Sequence, residues 1–328
     1  MSPRDDLRDK GCMPLKSNPL HRSLTACAVM AAGLLAAACL RAFAGSAEDM
    51  LAKSVIEPEP ESRIHCLIQV EATDHHITPR GLDINDAGLT LQPLVVILFD
   101  LYRNKDGFLN DVTLFGSLWN DWGTKPYGVR PGQWNEIDPA GGVKFKFAKG
   151  FQLDVALTGF RSETESYSTC INLDVRLTYH DSFMGAFSVN PYVELFDELS
   201  NKATVIYDQN TSSEGYYFVL GIDPTYKFDP FPLVVELPSF VNIVSPNFYQ
   251  RSNGADGGAG PALITTGIKF STPLKFMPKS YGAWTLYAGY EYYYLNNTGL
   301  IEGNQLLTGK PYQDHNLSRF YGGISVFF

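Results

Sequence analysis

From Arg63 to the C-terminus, apolar and polar residues alternate in runs of about ten, and residues that favour turns separate the runs. In 169–180, Ile171, Leu173, Val175, Leu177 and Tyr179 share one face, while Asn172, Asp174, Arg176, Thr178 and His180 share the other. In 151–161, Phe151, Leu153, Val155 and Leu157 oppose Gln152, Asp154, Ala156 and Thr158. In 282–294, Trp284, Leu286, Ala288, Tyr290, Tyr292 and Tyr294 oppose Thr285, Tyr287, Gly289, Glu291 and Tyr293. A period of two is that of a strand with unlike faces, and the charges fall on one face only.

Twelve such segments are predicted, near 65–78, 89–102, 111–121, 134–147, 151–161, 169–180, 186–197, 214–228, 231–243, 260–271, 281–294 and 319–328. An even number returns the chain to the side on which it entered, as a closed single-chain barrel of the bacterial outer membrane requires. The connections follow the same rule. Long ones at 79–88, 122–133, 162–168, 198–213, 244–259 and 295–318 are expected on the outside, and tight ones at 103–110, 148–150, 181–185, 229–230 and 272–280 in the periplasm. Three segments fit less well. Pro232 and Pro238 interrupt the ninth, the second is apolar on both faces through Leu94 to Phe99, and the first is poor in outward apolar residues.

The chain ends on Phe327-Phe328, where a soluble domain would fray into polar residues. Phe320, Gly322, Ile324, Val326 and Phe328 form one apolar face, which suits a strand in lipid whose pairing with the first strand closes the ring. Trp119, Trp122, Trp134, Tyr179 and the run Tyr290–Tyr294 lie near strand ends and are expected to form interfacial girdles.

Composition narrows the choice. Hydrophobic residues make up 45% of the 328 residues and aromatic ones 13%, yet mean hydropathy is only −0.11. Beyond the presequence no apolar run reaches the about 20 residues of a spanning helix, which excludes a helical membrane protein and leaves a β protein. At the start, Arg22 precedes an apolar stretch and Ala42-Phe43-Ala44 offers a cleavage site, so residues 1–44 read as a secretion signal; a lipoprotein signal acylated at Cys39 is the rival reading. Residues 45–63, with Glu57 to Ser62 reading EPEPES, are expected to be a periplasmic tail, and 64–328 the outer-membrane barrel.

Removing residues 1–44 takes away six of 26 basic and three of 35 acidic residues and leaves a formal charge of −12. Nucleic acid is therefore not an expected partner. The partners expected are outer-membrane lipids, ions or small polar solutes, and the barrel-assembly machinery, which would engage the C-terminal strand ending at Phe328. Cys66 and Cys170 remain after the signal and read as unpaired thiols at strand positions; no cofactor or metal is expected.

Candidate chemistry is sparse. His180-Asp181-Ser182 resembles the H-x-S of outer-membrane lipid hydrolases, but it lies at a periplasmic turn, in phase with lumen residues, and without the usual Asn-Gly after it. It reads as a polar turn. His75 and His76 point to opposite faces, and Asp83 to Gly88 (DINDAG) lacks ligands of a calcium loop and reads as a turn. The charges in lumen phase carry more: Asp138, Lys144, Lys146, Asp154, Asp174, Arg176, Glu194, Lys269 and Glu291 are the expected pore lining. They would either line an aqueous passage or pair across a narrow interior and plug it, and twelve strands lie between the filled and open regimes.

The stretches PRGLDINDAGLTLQP (79–93), TLFGSLWNDW (113–122) and WNEIDPAGGVKFKFAKGFQLDVALTGF (134–160) resemble the TorF-like putative porins of bacterial outer membranes. In that family an Arg-Gly turn precedes a Leu-Gln strand, an aromatic strand follows, and an acidic E-(I/L)-D opens a Gly-containing strand. The resemblance implies a small exported barrel with a porin-like role. It supplies no substrate or site residues. The expectation is thus an all-β transmembrane barrel acting as a channel for passive diffusion, with no enzymatic activity. A non-conducting structural or recognition barrel with Asn-rich external loops (Asn296, Asn297, Asn304, Asn316) is the alternative, and a lipid hydrolase the third reading.

Overall fold

The computed structural model describes residues 62–127, 132–181, 184–202, 204, 213–229, 231–311 and 313–328. The proposed signal, nearly all of the proposed tail, and Ser182 lie outside them. Twelve antiparallel strands close into a ring: β1 (Ile64–Thr73), β2 (Thr90–Arg103), β3 (Leu109–Tyr127), β4 (Gly132–Phe147), β5 (Phe151–Ser162), β6 (Cys170–Tyr179), β7 (Phe187–Ser188 and Pro191–Ser200), β8 (Tyr216–Ile222 and Thr225–Lys227), β9 (Val234–Glu236 and Ser239–Val244), β10 (Gly260–Pro273), β11 (Ala283–Leu295) and β12 (Asn316–Phe327). Every expected segment is present.

The seam between β12 and β1 runs from Leu67 opposite Phe327 to Thr73 opposite Tyr321. It extends to the last residue, because Phe328 donates to the carbonyl of Cys66 at 2.9 Å and accepts from its N–H at 3.3 Å. The terminal Phe-Phe therefore splits between environments. Phe327 turns inward and stacks on His65 with ring centroids 5.4 Å apart, while Phe328 is half exposed on the outside.

The three poorly fitting segments have physical explanations. The prolines of β8 and β9 face each other at a shared gap: Leu237 donates to the carbonyl of Pro224, and Gly267 to that of Pro238, while register is kept on both sides. Strand β2 is apolar on both faces because Leu94, Val96 and Leu98 point inward and pack with Leu67, Phe115 and Trp119, while Val95, Ile97 and Phe99 point outward. Strand β1 does present Ile68 and Val70 to the outside, and it ends at Thr73 because the chain beyond it turns into the barrel.

Exposed apolar side chains such as Val95, Ile97, Leu220, Leu286 and Ile324 cover the outer wall, a surface that water would not tolerate. Aromatic contacts mark its rims. Trp122 stacks on Trp134 at 5.3 Å at one end; at the other, Phe147, Phe151 and Tyr179 form a chain with spacings of 5.9 and 4.8 Å. Trp119 is a correction, since it faces the lumen and packs against His76 at 5.4 Å. A closed antiparallel barrel with an apolar belt between aromatic rims is the architecture of the bacterial outer membrane, and the tight turns at 104–108 and 148–150 mark the periplasmic end.

The long connections carry structure of their own. The first, residues 74–89, contains a short hairpin pairing His76–Ile77 with Asp83–Asn85. The last contains helix α1 (Thr298–Thr308), capped by the Asn297 side chain accepting from the Leu300 N–H at 3.2 Å and ended by Gly309 in the left-handed region.

Candidate functional site

Inward side chains of adjacent strands meet at one level to form a belt of alternating charge. Cross-strand register places Lys144 of β4 beside Asp154 of β5, Asp154 beside Arg176 of β6, and Arg176 beside Glu194 of β7. Lys144 Nζ lies 3.8 Å from Asp154, and Arg176 lies 3.7 Å from Glu194 and 3.2 Å from Asp223, stacked over the Tyr192 ring at 3.5 Å. Across the ring, Lys269 of β10 lies 3.2 Å from Glu236 of β9.

The seam carries its own network. Arg319 of β12 donates from Nε to Glu291 of β11 at 2.8 Å and from Nη1 to Glu71 of β1 at 3.3 Å. The hydroxyl of Tyr287 donates to Glu71 at 3.1 Å and that of Tyr293 to Glu291. One guanidinium therefore ties the first strand to the last two. Such a network is costly to leave incomplete, because removing one partner strands a buried charge.

The external end is built in the opposite way. Phe160, Phe196, Tyr217, Leu263 and Leu295 point inward from the strands and pack with Ile77, Leu82, Phe248, Leu300 and Ile301 from three connections in one apolar core. The first connection, expected outside the barrel, instead folds into it. Its tip is the turn Thr78-Pro79-Arg80-Gly81, in which the Gly81 N–H donates to the Thr78 carbonyl at 2.8 Å, with Pro at the second position and Gly at the fourth. Gly81 has φ +82°, and a Cβ there would meet Leu263 and Leu295 at 3.1–3.3 Å.

Several side chains hold this turn. Asn304 of α1 accepts from the Asp83 N–H and donates to the Gly81 carbonyl, both at 2.7 Å. Asn242 of β9 donates to the Pro79 carbonyl at 3.0 Å, and the Tyr249 hydroxyl to that of Arg80. His76 lies 3.2 Å from Asp121 of β3, and His75 lies 3.3 Å from Asp83 within the connection. That hydrogen bond raises the pKa of His75 above its ordinary value, against the burial that lowers it.

Between the turn and the belt lies a cavity of about 250 Å³. Arg80 and His76 line its external side, and Arg176, Glu194, Lys269, Glu291 and Arg319 line its wall. Its surroundings are acidic: Glu71, Glu136, Asp138, Asp154, Asp174, Glu194, Glu236 and Glu291 point inward against Lys144, Arg176, Lys269, Arg319 and the turn's Arg80.

Eight of the nine side chains expected to line a pore are turned into the barrel, and Lys146 sits exposed at the periplasmic rim opposite Gln152. The belt charges pair with neighbours along the wall, whereas Asp138 accepts from the Arg161 N–H at 3.4 Å and Asp174 from Thr158 at 3.3 Å. Neither expected arrangement is found whole: the paired charges leave a cavity, and a connection enters the lumen above it. Sequence reasoning missed Glu71, Glu236 and Arg319, although carrying the alternation through β1, β9 and β12 reaches them. Arg80 left no such signal.

Other candidates resolve into structural roles. Asp181 accepts from the N–H groups of Val189 and Asn190 at 2.8 and 2.7 Å, as a turn residue does, and His180 meets Gln152 at 3.3 Å. Asp83 to Gly88 is half strand and half turn, with Asn85 accepting from the Ala87 N–H at 3.1 Å. Among the described residues no group of His, Cys, Asp and Glu side chains is arranged to hold a metal, and Cys66 and Cys170 are free thiols.

No protein-family model matches the chain, and no curated protein does. Among solved structures, the chain is similar to the NanC porin (11% identity, TM-score 0.41, covering 80% of this chain and 98% of that one). It is also similar to an outer-membrane channel from Pseudomonas putida F1 (10%, 0.43, 83% and 100%) and to the translocator domain of the autotransporter NalP from Neisseria meningitidis (11%, 0.40, 94% and 97%). Similarity at this level assigns no roles to residues.

Proposed function

We propose that the protein is an outer-membrane channel for passive diffusion of ions or small polar solutes, with a preference for cations, and that the described conformation is its closed state. The observation that carries this reading is the cavity of about 250 Å³ walled by the charged belt and roofed by the inward turn at Arg80. A barrel kept only as a scaffold has no use for so many buried charges, each of which costs desolvation. Carboxylates outnumber cations around the cavity, and such a field favours cations. The resemblance of residues 64–160 to TorF-like putative porins agrees with this role. Outer-membrane lipids around the wall and assembly machinery acting on the strand that ends at Phe328 belong to the same proposal.

The test is single-channel current through the refolded protein in planar bilayers under a salt gradient. The expected result is small, infrequent steps with a reversal potential on the cation side. A barrel that stays silent after the first connection is excised would leave the recognition reading, to which the Asn-rich external connections then point.

A further inference from the structure

We infer that the lumen holds a binding site for small organic cations bearing a guanidinium or ammonium group, and that Arg80 is a tethered occupant of its external end. The inference rests on the channel reading and names the solute class for it.

The buried guanidinium of Arg80 is held in an unusual way. Its Cζ lies 4.2 Å from the centroid of the Phe160 ring and 5.5 Å from that of Phe196. Glu136, Asp138, Asp174 and Glu198 all lie within its electrostatic reach. Yet among the described residues it forms no ion pair, and its Nε has no hydrogen-bond partner. Asp174, 1% exposed, likewise has an oxygen, Oδ1, that accepts no hydrogen bond. A structural arginine would be expected to clasp one carboxylate through two parallel bonds. Here an aromatic face and several carboxylates receive a cation without closing on it, as a site for exchangeable cations would.

The side chain reaches this place from the apex of a turn, on a backbone held mainly through its carbonyls by Asn242, Tyr249 and Asn304. Arg80 lines the cavity together with Glu136, Glu194, Glu236 and Glu291, so carboxylates border the space next to its guanidinium.

Calorimetric titration of the folded protein in detergent tests this, with butylguanidinium as probe and the neutral isostere butylurea as control. While Arg80 fills the site most of the time, the apparent affinity for a competitor falls by the fraction of time the site is free. Arg80→Ala is therefore expected to bind butylguanidinium about ten-fold more tightly than the wild type does, and butylurea at least about ten-fold more weakly than butylguanidinium, each factor being about 1.4 kcal/mol. Adding Asp174→Asn to Arg80→Ala should return the affinity toward that of the wild type. Arg80→Gln serves if the alanine variant does not fold. In the wild type, saturating butylguanidinium should raise protease cleavage within residues 75–88 several-fold by displacing the turn, and butylurea should not.

Equal binding by variant and wild type, equal binding of the two probes, or unchanged cleavage in the wild type would overturn the assignment. Binding requires no conduction. A barrel that conducts but shows no preference for butylguanidinium sinks this inference alone, and one that binds it but never conducts sinks the channel reading.

Discussion

At the external end, Phe160, Cys170, Phe196 and Leu263 turn inward and meet apolar residues from three connections; a few residues further along, the same strands turn Asp154, Arg176, Glu194 and Lys269 inward. The strands are continuous between the two regions, so the difference lies in what the connections supply. The cap is a dehydrated core assembled from loops, and each large side chain fully buried there contributes about 1.5–3 kcal/mol. The belt holds paired charges around a cavity. In the proposed channel, opening a passage would mean disassembling a core, whereas carrying a solute through the belt would mean exchanging partners that are already polar.

Excising residues 75–88 and joining the ends of β1 and β2 with a short Gly-Ser link should have the largest effect. Removing the turn takes Ile77, Arg80 and Leu82 out of the lumen, and conductance should rise by roughly an order of magnitude if the turn is the main constriction. An unchanged conductance would place the barrier in the belt and reverse the comparison.

Two substitutions of comparable cost should separate the regions. Phe248 is fully buried, with ring centroids 5.0 Å from Tyr217 and 6.1 Å from Phe196, and Phe248→Ala should cost about 3–5 kcal/mol. Because its contacts lie within the apolar cap and it takes no part in the strand pairing of the wall, the loss should appear as protease access to the external connections while heat-modifiable migration persists. Arg319→Leu leaves Glu71 and Glu291 without their shared cation at the seam, a loss of about 3–5 kcal/mol borne by the closure of the ring. Its unfolding in urea should move to a markedly lower midpoint. If both variants fail in the same way, cap and wall form one cooperative unit.

The wall was legible in the sequence and the cap was not, for a physical reason. A strand with lipid on one side and a polar lumen on the other must alternate, so nine of the twelve segments announced themselves plainly, and the lumen phase of Asp154, Arg176 and Glu291 followed from counting. The first connection has no two-sided environment along its length. Its Thr-Pro-Arg-Gly and Asn-Asp-Ala-Gly stretches are turn residues whether the loop points out or in. What sends it inward is contact with residues distant in sequence, such as Asn304, Tyr249 and Leu263. Helix α1 was closer to reach: Asn297, then Leu300, Ile301, Asn304 and Leu307, then Gly309 is a capped helical pattern inside a stretch read as loop.

The smallest effect concerns how the cap is fastened. Glu302 of α1 accepts from the Ser252 N–H and from Arg251 Nη2, both at 2.8 Å, tying the last connection to the preceding external one, between β9 and β10. Burial pushes its carboxyl pKa up, but the hydrogen bonds from Ser252 and Arg251 outweigh this and leave it below the ordinary value. A depressed carboxyl stabilises the fold in full above the unfolded value of about 4.3, and that contribution fades as pH falls through the lower folded value. Arg251 is well exposed, so screening holds the contribution to less than about 1 kcal/mol. Amide exchange in 298–308 should therefore quicken modestly relative to the strands as pH is lowered from 6 to 3, after correction for intrinsic rates, and Glu302→Gln should remove most of that pH dependence. An equal response in the strands would mean that the belt carboxylates, and not the fastening of the cap, set the acid sensitivity of the barrel.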